Sequence, residues 1–387
     1  MNKIFSAITL TCAMSPMALA QSSVSLYGIV DAGMVYSTMS GDYIQDKTNV
    51  GLAYGMQSGN RFGLKGLEDL GSGTRATFQL EGGFNLGSGV LEQSATIFNR
   101  QSWVGIENDR YGYARLGLQY NFATDYFGAI DPFKLGFGQA SMGAAFGSTN
   151  MYRMSNTIKY QSPEVSGFLF GVGYSFANGV TPFYYNQGLT PNATGSTDYN
   201  FVTANNNRQV TLGIRYAQGP LYLAASYDNV MGINQPLNNS GSNPSAWNLG
   251  AAYDFNAFKL SLAYGQMRGG LIRGQGDGMT GPNEFYNPYW GGGRLGLIDF
   301  NNRITTSSYL IGASAPLSAA ARIFASWTLV VDGSEITQAN QTAYNIGYSY
   351  DFTKRTNIYA FFSFMDNVNT TQSNKSSVLG VGLRHMF

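Results

Sequence analysis

The sequence predicts an all-β fold, a 16-stranded antiparallel transmembrane β-barrel, on three observations: a secretion signal, a charge-poor and aromatic-rich composition, and apolar residues recurring at every second position. The signal is read first. Lys3 supplies a positive start, Ile4 to Leu10 a short apolar stretch, and Ala18-Leu19-Ala20 a small-x-small cleavage site. Ser6, Thr9, Thr11 and Ser15 interrupt the apolar run, so it falls short of the ~20 residues that a helical span requires. Residues 1–20 therefore read as a signal peptide and 21–387 as one barrel domain beginning at Gln21. The single cysteine, Cys12, lies within the signal, so the mature chain forms no disulfide.

Composition narrows the class. Removing Lys3 from 23 basic residues leaves 22 against 22 acidic ones, a balance that argues against a nucleic-acid partner. Charged residues make up 12% of the chain, about half the usual ~25%. Aromatics reach 14% and glycines number 49, so the chain lacks the charge for an ordinary soluble surface. No run of 18 apolar residues follows the signal, which excludes helical spans and leaves a closed barrel as the way to cross a bilayer with every backbone group paired.

Alternation supports this. Leu26, Val30, Ala32, Met34 and Tyr36 share one parity against Ser25, Tyr27 and Asp31; Ala76, Phe78, Leu80 and Phe84 alternate with Arg75, Thr77, Gln79 and Glu81. The same holds for Trp247 to Phe255 and for Tyr344 to Tyr350. Charges from Asp31 to Arg384 fall on the polar parity of their own strands, as expected when a lipid-facing Arg or Lys costs roughly 2–4 kcal/mol at mid-bilayer. A soluble β-sandwich would alternate too; signal, charge poverty and aromatic abundance favour the barrel. The expected strands are 23–36, 58–68, 73–84, 97–108, 112–122, 152–161, 166–177, 207–217, 219–230, 244–256, 257–268, 304–315, 318–332, 338–351, 355–366 and 376–387. Short turns at 68–73, 108–112, 162–167, 218–220, 315–318 and 352–355 alternate with long loops, and sixteen strands enclose an aqueous channel. The exterior then meets outer-membrane lipid and lipopolysaccharide.

Several stretches resemble the trimeric general porins of Gram-negative bacteria, of the betaproteobacterial kind. Ser25-Leu26-Tyr27-Gly28-Ile29-Val30-Asp31-Ala32-Gly33 is similar to that family's first strand, and Arg61-Phe62-Gly63-Leu64-Lys65-Gly66 with Glu68-Asp69-Leu70-Gly71 to its second strand and first turn. Phe78-Gln79-Leu80-Glu81, Asn99-Arg100-Gln101 and the final Val381-Gly382-Leu383-Arg384-His385-Met386-Phe387 continue the likeness. The resemblance implies passive diffusion of small hydrophilic solutes and ions in the outer membrane. It also implies a long third loop folded into the pore, here 121–151, whose acids Asp125 and Asp131, with Lys134 nearby, face a basic ladder on the wall. Arg61 and Arg153 match that ladder; Lys65, Arg75, Arg100 and Arg115 join them by parity as constriction candidates. Leu118 stands where the family commonly shows Arg, and the loop is poor in acids. Basic wall residues outnumber loop acids, which leans the expectation toward anions.

Leu379, Val381, Leu383 and the terminal Phe387 form one apolar edge, which in the family looks like the signal read by the barrel-insertion machinery. Small outward residues, Gly28, Ala32, Gly66, Ala76 and Gly82, point to a homotrimer packed through the first strands and the last. No cofactor or metal is expected. The glycine runs at 276–281 and 291–296 fit a nucleotide-binding spacing but open no helix, and 269–302 reads as an outer loop. A barrel enzyme is disfavoured because the single histidine, His385, lies on the lipid parity without a nucleophile beside it. A sugar-specific channel would want an aromatic track that Tyr27, Tyr113 and Tyr222 do not form.

Overall fold

The computed structural model describes residues 22–42, 46–93, 96–177, 207–232, 242–272, 298–333 and 339–387. The expected signal peptide, both glycine runs and most of 269–302 lie outside the described residues.

The described elements run β1 (Ser23–Ser40), β2 (Lys47–Tyr54), β3 (Arg61–Gly71), β4 (Thr74–Gly83), β5 (Gln101–Asn108), β6 (Gly112–Tyr120), a one-and-a-half-turn helix α1 (Phe122–Phe127), then β7 (Arg153–Gln161) and β8 (Phe168–Ser175). They continue with β9 (Arg208–Gln218), β10 (Leu221–Met231), β11 (Ser245–Asp254), β12 (Lys259–Ile272), β13 (Ile298–Pro316), β14 (Ala321–Asp332), β15 (Gln341–Asp351), β16 (Thr356–Asp366) and β17 (Lys375–Met386). Each strand pairs antiparallel with its neighbour, and β17 returns to β1 over Ile29–Ser40, so the sheet closes on itself. β1 takes β3 along Ser23–Ile29 and β2 along Ala32–Met39, which makes β2 and β3 two lengths of a single stave. The seventeen segments are therefore sixteen staves.

The expected strand over 58–68 thus has an upstream half that its short alternation concealed, and the break between the halves has a specific cause. Asp31, wholly buried, accepts hydrogen bonds from the backbone N–H groups of Gln57 (2.8 Å) and Ser58 (2.7 Å) and from the Tyr359 hydroxyl. Its own N–H donates to Asn60 Oδ1 at 2.6 Å. A side-chain carboxylate here replaces the ladder carbonyls, so the chain leaves the sheet at Gly55–Asn60 without stranding its amides. The fourth stave also starts later than its expected range of 97–108, at Gln101, because Arg100 and Asn99 turn their polar groups toward β4.

Burial is inverted relative to a soluble protein. Val50, Leu26, Ile106, Met34 and Leu116 are more than half exposed, whereas Asp31, Arg100, Asp228, Gln209 and Ser363 are wholly enclosed. The exposed parity is the apolar one on β1, β6, β11 and β15 alike. That pattern suits a hydrocarbon surround and excludes the sandwich. Aromatics gather at the short-turn rim, where Phe168 meets Tyr216 at 4.7 Å, Tyr253 meets Phe255 at 4.6 Å and Phe255 meets Phe258 at 4.9 Å. Such rings suit the lipid–water boundary.

The seam is the tightest join. Gly28 and Phe387 exchange backbone hydrogen bonds at 3.1 Å, and the Phe387 ring lies where a Gly28 side chain would begin. Leu379, Val381, Leu383 and Phe387 all face outward beside it. His385 is exposed on the same parity, bonded through Nδ1 to Thr356 Oγ1 at 2.8 Å.

Replacing Asp31 with Ala should strip two buried amides and a buried hydroxyl of their acceptor and destabilise the barrel by about 2–4 kcal/mol. A lower temperature of heat-modified gel migration in detergent is the expected readout, with Asp31→Asn intermediate; an unchanged midpoint would remove this carboxylate as the organiser of the break.

Candidate functional site

Between β6 and β7 the chain makes its longest described connection. Asn121 caps α1 by accepting from Thr124 N–H (3.1 Å), and its amide donates to the buried Asp228 on β10 (2.9 Å). From there the segment meets one strand after another. Phe122 N–H donates to Thr211 of β9 (3.1 Å) and the Tyr222 hydroxyl of β10 to the Tyr126 carbonyl (2.7 Å). Ser308 of β13 donates to Ala145 O (2.6 Å), Gln341 of β15 to Ala144 O (3.3 Å), and Gln139 to Ser363 of β16 (3.0 Å). Ser376 of β17 closes the circuit by donating to Gln139 Oε1 (2.8 Å).

Apolar packing accompanies these bonds. Phe122, Phe127, Ile130, Leu135, Met142 and Phe146 form one buried cluster with Ala224, Ala263, Leu310 and Val330 of the wall. Phe133 and Phe137 form another with Phe324, Tyr359 and Phe361; Phe133 meets Phe324 edge-on at 4.9 Å. The wall makes room by omitting side chains: a Cβ on Gly213 would strike Phe122, on Gly250 Ile130, and on Gly312 Pro132.

The candidate charges fall into distinct settings. Glu81 of β4 binds several partners: Arg100 Nε at 2.9 Å, Arg61 at 3.7 Å, and the Tyr27 hydroxyl at 2.9 Å. Arg100 is fully enclosed, its other nitrogen reaching Glu92 at 3.4 Å. On β7, Lys159 pairs with Asp125 of α1 and donates to Tyr120 O (2.7 Å). Arg153 donates to the Tyr120 hydroxyl (2.8 Å) with its guanidinium 4.8 Å from that ring. The Arg115 guanidinium lies 4.1 Å from the Trp103 ring centroid and 3.9 Å from that of Tyr113. Arg61, Glu81, Arg115, Asp125 and Lys159 line one polar cavity of about 200 Å³ with Gln79, Gln101, Gln119, Trp103 and Tyr120. A larger hollow, about 830 Å³, lies among Leu223, Leu249, Tyr264, Tyr309 and Trp327 on the apolar parity and suits hydrocarbon rather than solute.

Three candidates stand apart. Arg75 sits beside the turn after β3 and binds Asp109 (2.6 Å) and Glu107 (3.5 Å), at the rim. Lys65 is exposed, 5.6 Å from the Tyr27 ring. Asp131 is spent inside its own loop: its carboxylate accepts from the N–H groups of Phe133 (3.0 Å), Leu135 (2.9 Å) and Met142 (3.0 Å) and is fully buried. An Asp before Pro132, accepting two residues on, is a turn signal in the sequence that could have marked it as a loop staple. Glu81 and Lys159 lie on the polar parity of their strands, but their ion pairs depend on contacts that periodicity does not encode.

Residues 7–370 match a Gram-negative porin family. The chain belongs to that family. It is 37% identical to an outer membrane porin protein of Bordetella pertussis, over 100% of both chains, and 29% identical to outer membrane porin protein 32 of Delftia acidovorans over 97% of each. Among solved structures, the anion-selective porin from Comamonas acidovorans superposes with a TM-score of 0.68 at 24% identity, covering 95% of this chain and 100% of that one. A Salmonella typhi OmpF structure superposes at 0.61 with 16% identity, covering 94% and 97%. This porin is accordingly an outer-membrane barrel, and the inverted burial is what its surround demands.

Burial pushes the Asp131 carboxyl up from 3.8 to about 6, against the pull of its backbone donors at Met142, Phe133 and Leu135. The folded porin therefore holds this proton more tightly than the unfolded chain does, so the contribution is fully present below about 4 and is lost as pH rises through about 6. Relative to Asp131→Asn, the wild type should gain resistance to denaturant as pH falls from 7 to 4. Parallel midpoints for the two proteins across that range would contradict this.

Proposed function

We propose that this porin is a general diffusion channel in which the segment between β6 and β7 lies across the lumen and narrows it, leaving the passage along the wall of β3 to β7. The single observation carrying this reading is the circuit of bonds from that segment to β9, β10, β13, β15, β16 and β17, which a chain crossing the interior of a closed barrel would complete. Arg61, Arg115, Arg153 and Lys159 then form the basic side of the narrowing, with Glu81 and Asp125 as its acids. The charged lining holds water and penalises apolar solutes, and the cations left without a carboxylate partner favour anions. Arg115, set against two rings and without an ion pair among the described residues, is a positive charge left to act there, and it supports the anion preference expected from the sequence. The name of the Comamonas relative agrees with that direction.

Three copies packed through β1, β3, β4 and β17 fit the small outward residues Ala32 and Ala76, whereas Gly28 and Gly66 are covered by the chain's own Phe387 and Phe78 rings. Recording in a planar bilayer should give conductance in groups of three equal steps. Under a potassium chloride gradient the reversal potential should favour chloride, and Arg115→Gln should move it toward potassium. Single independent steps would defeat the trimer, and a cation-favouring potential the selectivity.

The outward edge of Leu379, Val381, Leu383 and Phe387 is the segment offered to the insertion machinery. Phe387→Ala should lower folded porin in the outer membrane several-fold, while refolding from denaturant into detergent micelles proceeds to about the wild-type yield. Equal loss in both settings would make Phe387 merely a packing residue.

A further inference from the structure

A second group of cations stands on the short-turn side of the crossing segment, outside the cavity around Arg115. Lys259 opens β12, Arg322 is the second residue of β14, and Arg384 lies three residues from the chain end. Lys134 joins them from the loop. None of the four makes an ion pair among the described residues, in contrast to Arg61, Arg100 and Lys159.

Contacts with the loop bring them to one place. The Arg322 guanidinium stands 5.1 Å from the Phe324 ring, which packs edge-on against Phe133; the Arg322 Nε is buried with no hydrogen-bond partner. Arg384 donates to Ser58 Oγ (3.2 Å) and Asn357 Oδ1 (2.9 Å), and the Gln57 carbonyl next to Ser58 lies against Gly136. The two arginines thus both lie near the stretch 133–136. Lys259 reaches the same loop through the Ala129 carbonyl. Lys134 stands between them in a left-handed conformation, φ +54°, with its side chain exposed. Partial desolvation first, then the charges of Arg322, Arg384 and Lys259, lower the pKa of its ammonium.

The nearby acids do not balance this group. Asp254 opposes Lys259 across the β11–β12 pair, and Asp351 sits one strand from Arg322. Asp31, cross-strand partner of Arg384, also accepts from Gln57, Ser58 and Tyr359. Four cations against three carboxylates leave a surplus of one positive charge, with the Arg322 Nε unspent.

We propose that Lys134, Arg322 and Arg384, with Lys259 at the edge, bind a small doubly charged oxyanion of the hydrogenphosphate type. The proposal rests on the channel reading above and adds to it a second station for anions at the short-turn mouth. Guanidinium forks match paired oxygens, a geometry that spherical chloride cannot use, and a double charge gains about twice as much from each of the cations as a single one.

The test is chloride conductance of the porin in a planar bilayer at constant ionic strength while inorganic phosphate is added, with acetate as the singly charged control. Phosphate should reduce the current saturably and acetate should not. Lys134→Gln should raise the half-blocking phosphate concentration about threefold and Lys134→Gln with Arg322→Gln about tenfold. The loop substitution alone preserves the test if the wall variant fails to insert. Current that persists without saturable block, or block unchanged in the Lys134 variant, overturns this site alone. Folded porin that passes no ionic current overturns the channel reading itself.

Discussion

Closure of the hydrogen-bond ladder between β1 and β17 is the constraint on which the rest depends, because hydrocarbon offers no partner to an unpaired amide. Once the sheet is closed, each strand has an inside and an outside, and a period-two sequence sorts its residues between them without further instruction. The join shows how little slack there is. Gly28 and Phe387 exchange main-chain bonds while the ring occupies the space that any larger residue at 28 would need. Asp31, on the same strand, holds the interior of that seam by binding Gln57, Ser58 and Tyr359. One strand therefore carries both the outward aromatic closure and the inward polar one.

A polar-lined barrel creates a difficulty for any segment that enters it, since aromatic rings gain nothing from a wet wall. The porin resolves this by making part of its wall apolar or absent: Ala224, Ala263, Leu310 and Phe324 face inward, and Gly213, Gly250 and Gly312 leave a trench in which Phe122, Ile130 and Pro132 sit. The polar wall of β3 to β7 has no such trench. On the proposed crossing, the segment is driven to one side by the same hydrophobic term that elsewhere builds cores, at roughly 25 cal/mol per Å² of apolar surface removed from water.

The alternation that revealed the barrel is local, which is why strand type, sidedness and short turns were legible from residues a few positions apart. Height along the barrel is not encoded in parity. Arg75 and Arg115 share the inward face, yet one binds Asp109 at the rim and the other is set against Trp103 and Tyr113. Pairings across the barrel were less legible still. Gln139 meets Ser363 and Ser376, more than 220 residues away, through a closure that no window of sequence contains. β2 was hidden for another reason: eight residues with two strongly exposed apolar positions resemble a loop until the break at Gly55–Asn60 is seen to be stapled by Asp31.

Counting basic and acidic residues along the wall misjudges the field, because a charge already paired contributes little at a distance. Arg100 and Arg61 share Glu81, and Lys159 is answered by Asp125, so these groups largely cancel as dipoles. Asp131 subtracts nothing from the lumen, since its carboxyl is turned into the loop and ringed by backbone donors. What remains to act on an ion are cations whose neighbours are rings or carbonyls rather than carboxylates: Arg115 against Trp103 and Tyr113, Arg322 beside Phe324, Lys259 on Ala129. Aromatic support holds such a cation in place without neutralising it. The anion preference proposed above rests on that pairing of cation with ring, and would survive the loss of Arg100 better than the loss of Arg115.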